Sequence, residues 1–244
     1  MFKHVGARRT FSHNLRLASL LSAVAGMVNI CGLLSFNTLT TNVTGHITLL
    51  SEEIYLEDYS LAFIFFMYVL CFLLGAFTSG LLMEHFSQRG PRYTYITPIT
   101  MELCLLILVA LSPLTKYINY NISPLFLSCI LLFSMGLQNA LVTKISRSVV
   151  RTTHLTGLFT DLGLDLSRLV FRKEQVALHT TRKDAKLKII IILFFFGGGV
   201  LAAFAYPSLK VKTLFLPALL LAFTLWYDNI LFRYTRILRK LQGR

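Results

Sequence analysis

Two asparagines stand in the same short frame. Gly26-Met27-Val28-Asn29 and Gly136-Leu137-Gln138-Asn139 both read G-x-x-N, and each precedes a hydroxyl-rich segment. The first is followed by Thr41-Asn42-Val43-Thr44-Gly45-His46-Ile47-Thr48, the second by Thr153-His154-Leu155-Thr156-Gly157-Leu158-Phe159-Thr160. Both segments read T-x-x-T-G-x-x-T. A carboxamide supplies two donors and an acceptor, so Asn29 and Asn139 suit one small polar ligand held between them, or hydrogen bonds that tie helices together. Thr41, Thr44, Gly45, Thr153, Thr156 and Gly157 offer hydroxyls beside a glycine that permits a helix to break. Broken helices turn backbone groups and half-helix dipoles toward a substrate. The plainer use is a hydroxyl-rich helix end, with threonines capping the backbone.

Glu102 is the third candidate. It lies in an apolar run, one helical turn after Pro98. A carboxyl group there must be protonated, paired or turned toward water. It suits proton coupling or substrate binding; the structural use is a neutral hydrogen bond between helices. Pro98 frees a carbonyl one turn earlier and loosens the ladder beside it.

Other chemistries lack their residues. The six histidines form no H-E-x-x-H or H-x-x-x-H pair, and there is no G-x-S-x-G elbow or G-x-x-x-x-G-K-[ST] loop. Cys31, Cys71, Cys104 and Cys129 sit singly in apolar runs, which argues for packing and against a zinc site, a redox motif or a disulfide framework. The expectation is no enzyme, no metal and no cofactor.

The elements that must position these residues follow from composition. Of 244 residues, 55% are apolar and only 14% charged, with a mean hydropathy of +0.65. A soluble domain carries about a quarter of its residues charged, so a soluble or disordered chain is excluded. Six apolar runs, at 17–36, 61–83, 93–115, 122–143, 189–209 and 211–232, match the roughly 20 residues that a helix needs to cross the hydrocarbon core. Only Pro207–Lys210 separates the last two, as in a tight hairpin. The first run is too long for a signal-peptide core.

The formal charge of +13 then finds its meaning. Four cations lie in the N-terminal tail, two in the second connection, ten in the fourth and five in the C-terminal tail; the other side carries only Lys116, Lys210 and Lys212, with the acidic cluster Glu52, Glu53, Glu57 and Asp58. Twenty-one against three sets both termini in the cytoplasm and leaves little for a nucleic-acid partner. In the fourth connection, 144–188, Leu158, Phe159, Leu162, Leu166, Leu169 and Val170 recur at helical spacing. Asp161, Asp165, Arg168 and Arg172 line another face of that amphipathic helix. It is expected to lie on anionic headgroups, followed by a basic stretch through Lys188.

The chain repeats beyond its two motifs. Gly75, Ala76, Ser79 and Gly80 in the second run answer Gly197, Gly198, Gly199, Ala202 and Ala203 in the fifth; Pro98 and Pro217 hold like places in the third and sixth. Halves of three spans each must face opposite ways. The predicted fold is thus an all-α integral membrane protein in one domain, 1–244, of six transmembrane helices. They form two inverted three-helix repeats, about 17–115 and 122–232.

The stretch from Ser134 to Ala140, followed by Thr152-Thr153-His154-Leu155-Thr156-Gly157-Leu158-Phe159-Thr160-Asp161-Leu162-Gly163, resembles the second-half signature of the bacterial YoaK-type membrane proteins. Ala25-Gly26 through Thr44-Gly45 resembles its first half. There the family more often has an acidic residue at the position of Asn29 and an asparagine at that of His46. The resemblance covers nearly the whole chain and implies a multi-pass protein of the bacterial inner membrane.

Together these residues lead to one expectation and its rivals. The first is a secondary permease for a small solute, with the two halves rocking in alternating access. Asn29, Asn139, Thr41, Thr44, Gly45, Thr153, Thr156, Gly157 and Glu102 would lie near its path. The second is a structural or regulatory membrane scaffold that transports nothing; an intramembrane enzyme stands third. Pairing as a homodimer through the small-residue patches is a further expectation.

Overall fold

The computed structural model describes residues 11–87, 91–113, 123–146, 151–171 and 175–227. The described residues are helical and contain no strand. In chain order the helices are α1 (Phe11–Phe36), α2 (Val43–Tyr55), α3 (Tyr59–Ser87), α4 (Pro91–Leu111), α5 (Pro124–Ser146), α6 (Leu155–Phe171) and α7 (Gln175–Leu209). A 3-10 turn, Lys210–Leu214, then leads into α8 (215–227). Asp228, the C-terminal cations and Lys116 fall outside the described residues.

Five stretches are long and apolar enough to cross a membrane: Ala18–Phe36, Tyr59–Ser87, Thr94–Leu111, Pro124–Ser146 and Leu178–Tyr227. The last, at 50 residues, contains the fifth run expected from the sequence and the described part, 211–227, of the sixth. The separation between those runs falls later than expected. Pro207 lies inside α7, and the helix continues to Leu209 before Lys210 takes the left-handed φ of 51° that opens the turn. α7 also begins earlier, at Gln175, so the basic stretch through Lys188 is its helical first part.

Packing follows the small residues. α1 and α5 are the most enclosed spans, and they touch each other. α3 and α7 lie outside them and turn large apolar side chains outward, Phe63, Phe66 and Leu73 on one and Phe196, Leu201 and Phe204 on the other. α7 packs along α1, and α3 packs along α5. In the first pair a Cβ on Gly26 would lie 1.9 Å from the Phe195 carbonyl oxygen, and one on Gly198 would lie 2.3 Å from that of Ala23. In the second, a Cβ on Gly136 would lie 2.1 Å from the Phe72 oxygen, and one on Gly75 2.0 Å from that of Phe133. At those distances only glycine fits, so backbone meets backbone at both crossings.

The partners within each pair run parallel. The Tyr206 hydroxyl, near the end of α7, donates to the Leu34 carbonyl near the end of α1 (2.8 Å). An ion pair between Glu84 and Lys144 joins the last turns of α3 and α5. Gln138 ties the two central helices, its Nε2 donating to the Leu21 carbonyl at 2.6 Å. All four cysteines are free thiols, as the sequence implies.

Candidate functional site

Asn29 and Asn139 do the same work in two places. Asn29 Oδ1 accepts from both the backbone N–H (3.2 Å) and the hydroxyl (3.0 Å) of Thr41, drawing the chain beyond α1 back onto that helix. Asn139 Oδ1 accepts from the Thr153 hydroxyl at 3.0 Å, drawing back the chain beyond α5. The acceptor of each carboxamide is thus engaged inside its own half, which leaves the amide nitrogens as the groups available to a ligand. Next to each tied threonine sits another, Thr40 and Thr152, wholly buried with a hydroxyl that has no partner among the described residues. The doubled Thr-Thr in each segment is a signal for them that a search for T-x-x-T-G alone passes over.

The T-x-x-T-G segments start helices, where the sequence reading pictured breaks after a span. α2 begins at Val43 and α6 at Leu155, the residue before Thr44 and Thr156 respectively. Asn42 is the N-cap of α2, its Oδ1 accepting from the Gly45 N–H at 3.0 Å. The side chain folds so closely over Gly45 that a Cβ there would lie 2.6 Å from Asn42 Nδ2. His154 lies over Gly157 in the same manner, 2.4 Å from such a Cβ at Nδ1. At α2 the capping side chain is Asn42 and not a threonine, and its closeness calls for glycine at position 45; at Gly157 the closeness of the His154 ring makes the same demand. Thr44 and Thr156 are exposed, and their carbonyls accept from Thr48 and Thr160, each at 3.1 Å.

Glu102 is completely buried in α4, whose neighbours are α3, α5 and the 3-10 turn. Neither carboxyl oxygen has a hydrogen-bond partner among the described residues, so no bond joins it to Asn29 or Asn139. Of the fates expected for this carboxyl, the described residues supply neither a partner nor an opening to water. Pro98 lies inside the same helix, as read from the sequence.

Two buried polar groupings were not singled out from the sequence. In the first, the Thr38 hydroxyl donates to Phe36 O (3.0 Å), lies 3.0 Å from the Ser128 hydroxyl and approaches the Tyr68 phenol at 3.4 Å. His46 packs edge-on against Tyr68, with ring centroids 5.2 Å apart, and stacks on Phe65 at 6.2 Å. Its Nε2 donates to the Leu39 carbonyl (2.8 Å), while Nδ1 is buried without a partner. Burial holds the imidazole below its usual pKa, and the bond to Leu39 opposes that only in part. These residues come from four elements, so no local spacing announces them.

The second grouping adds a partner to α6. Asp165, grouped from the sequence with Arg168 on one face of the helix, does pair with Arg168 at 3.2 Å, but it is buried and pairs also with Lys188 of α7. It clamps the amphipathic helix to α7. Phe159, Leu164, Leu166 and Val170 remain exposed on α6. Among the described residues no group of three or more His, Cys, Asp or Glu is placed to hold a metal ion.

Comparison with known proteins agrees with this architecture. The chain is similar to the UPF0700 transmembrane protein YoaK of Bacillus subtilis (strain 168), 28% identical over 208 residues that cover 84% of this chain and 89% of that protein. No solved structure matches it. A family model described as "Protein of unknown function (DUF1275)" matches residues 17–227, and with nearly the whole transmembrane region inside that match, the chain belongs to the DUF1275 family of membrane proteins.

Proposed function

We propose that this chain is a secondary permease of the bacterial inner membrane, built from two three-span halves of inverted topology that move a small solute by alternating access. The observation that carries the reading is the correspondence of the two glycine crossings. Gly26, Phe195, Gly198 and Ala23 have as counterparts Gly136, Phe72, Gly75 and Phe133, contact for contact. Each pair joins the first span of one half to the second span of the other. Because consecutive spans alternate in direction, two parallel pairs built this way point oppositely, the relation that inverted repeats require.

A count of six spans is supported by the two ends of the spanning region. Arg16, before the first span, and Tyr227, the thirteenth residue of α8 (215–227), line one cleft. Ends on the same side call for an even number of crossings. A continuous 50-residue helix would also extend about 75 Å, against roughly 30 Å of hydrocarbon. The cation bias puts that side in the cytoplasm.

Within this frame Glu102 is the group through which a proton or a cationic part of the solute acts, because it is buried without a partner among the described residues. Asn29 and Asn139 turn amide donors toward the path. The rival scaffold reading draws on one specific observation: both asparagine oxygens are already satisfied by threonines, as helix glue would be.

A thermal-shift screen of the purified protein against metabolites supplies the solute, since a ligand of the native state raises its melting temperature. Counterflow of that solute in proteoliposomes then separates the readings. Glu102→Gln is expected to lower flux at least tenfold with the melting temperature little changed, and Asn139→Ala to lower it severalfold. If both variants transport normally and instead yield less folded protein, the chain is a scaffold.

A further inference from the structure

We infer that the cleft between the Arg16–Leu20 turn of α1 and the Phe223–Tyr227 turn of α8 is a binding site for an anionic glycerophospholipid. The cleft holds about 270 Å³ and is lined by Arg16, Ser19, Leu20, Phe223 and Tyr227. Its polarity is ordered along the helix axes. Leu20 lies one turn deeper into the first span than Arg16, and Phe223 one turn deeper into the last than Tyr227. The deep wall is therefore aliphatic and aromatic, whereas the shallow rim carries a guanidinium and a phenol. An acyl chain below and a phosphate above match that order, and a freely soluble anion does not.

Charge selects the headgroup. Arg16 is exposed and has no ion-pair partner among the described residues, and the Ser19 hydroxyl is turned back to the Arg16 carbonyl (3.1 Å), away from the guanidinium. Phe223 stacks with Tyr227, their centroids 6.2 Å apart, which holds the phenol beside the rim. Trp226 is exposed on the same helix end, as interfacial aromatics are. A guanidinium binds a phosphate through two parallel hydrogen bonds. A zwitterionic lipid brings its own ammonium to that phosphate, so the net-negative headgroup is preferred.

The test uses the full chain in neutral detergent, with dioleoyl phosphatidylglycerol, dioleoyl phosphatidylcholine and inorganic phosphate added separately. Phosphatidylglycerol is expected to raise the melting temperature and to be retained as a one-to-one adduct in native mass spectrometry; the other two are not. Arg16→Gln should weaken phosphatidylglycerol binding about fivefold, the effect of one basic group at an anionic surface. Leu20→Trp, which fills the cleft and keeps the charge, should weaken it as well. Arg151→Gln removes an exposed cation elsewhere and should leave it unchanged. Equal stabilisation by phosphatidylcholine or phosphate, or equal losses in the Arg16 and Arg151 variants, would show diffuse attraction and overturn the site. Should Arg16→Gln fail to fold, the Leu20 variant and the wild-type lipid preference decide the matter alone.

Discussion

The chain following α1 and the chain following α5 are built alike down to single hydrogen bonds. Each returns a threonine to an asparagine of its own helix, buries a second threonine whose hydroxyl has no partner among the described residues, and opens an amphipathic helix with a glycine beneath the side chain three residues before it, Asn42 or His154. The halves part company in their charges. Buried His46 in α2 stands where α6 has Leu158, and clamped Asp165 in α6 stands where α2 has Glu53, which makes no ion pair among the described residues. Four residues after its proline, α4 carries Glu102 and α8 carries Leu221, both wholly buried. What is shared is the backbone packing and the turns. What differs is where a proton or charge resides, and a device that must distinguish its two sides needs such differences.

The glycine crossings give the largest expected effect. Gly26→Ala and Gly136→Ala each place a Cβ about 2 Å from a carbonyl oxygen on the facing helix, and that backbone cannot move aside without separating the pair. Each is expected to cost roughly 3 kcal/mol or more, the upper part of the range for overpacking, and to lower folded yield sharply. Gly80→Ala and Gly197→Ala, where a new Cβ meets nothing within 4 Å, should be neutral or slightly stabilising. Thermal melts in detergent of the four variants check this. Unequal losses at Gly26 and Gly136 would break the equivalence of the crossings.

Asp165 gives the next effect and probes a difference. Asp165→Asn leaves Lys188, mostly buried, without its counter-charge, while half-exposed Arg168 turns to solvent. A fully buried pair broken from one side costs about 3–5 kcal/mol; with Arg168 in water the expected loss is about 1–3 kcal/mol. α6 should become the first site of limited proteolysis. Glu53→Gln, the matching change in α2, should alter stability by about 0.5 kcal/mol or less. Equal losses in the two variants would make the clamp a common feature and remove this distinction between the halves.

Much of this plan is legible in the residues. Membrane class, the apolar spans and the repeated motifs all follow from short-range patterns, and the small-residue patches do mark the helix crossings. The register of those crossings is not legible, because it depends on which carbonyl faces which glycine across helices far apart in sequence. The residues alone leave two uses open for Gly45 and Gly157, because a helix break and a helix start both call for glycine near polar residues, and only the fold of Asn42 over Gly45 identifies a cap there. The burial of Asp165 is not legible, because helical spacing groups it with Arg168 and cannot see Lys188 on another helix. The cluster of Thr38, His46, Tyr68 and Ser128 is assembled from distant segments, beyond the reach of any local pattern.

His46 provides the smallest and most specific test of the asymmetry. Nε2 must donate to the Leu39 carbonyl, so a second proton would fall on Nδ1, which is buried and faces no acceptor. Tyr68 and Phe65 present ring surfaces to it and no carboxylate. The folded-state pKa is therefore lowered from the ordinary histidine value of about 6.5, chiefly by burial. With the unfolded chain binding the proton more readily, stability rises with pH across this window. It is fully present above about pH 6.5 and declines as pH falls below the unfolded-state pKa. Melting temperatures recorded from pH 8 to pH 5 should fall toward acid in the wild type. His46→Leu, which installs the residue that α6 has at Leu158, should flatten that slope, and the difference between the two curves isolates His46 from the exposed histidines. A variant with the full wild-type slope would mean that the imidazole is charged or solvated in the folded state, and the contrast between His46 in α2 and Leu158 in α6 would then carry no difference in protonation.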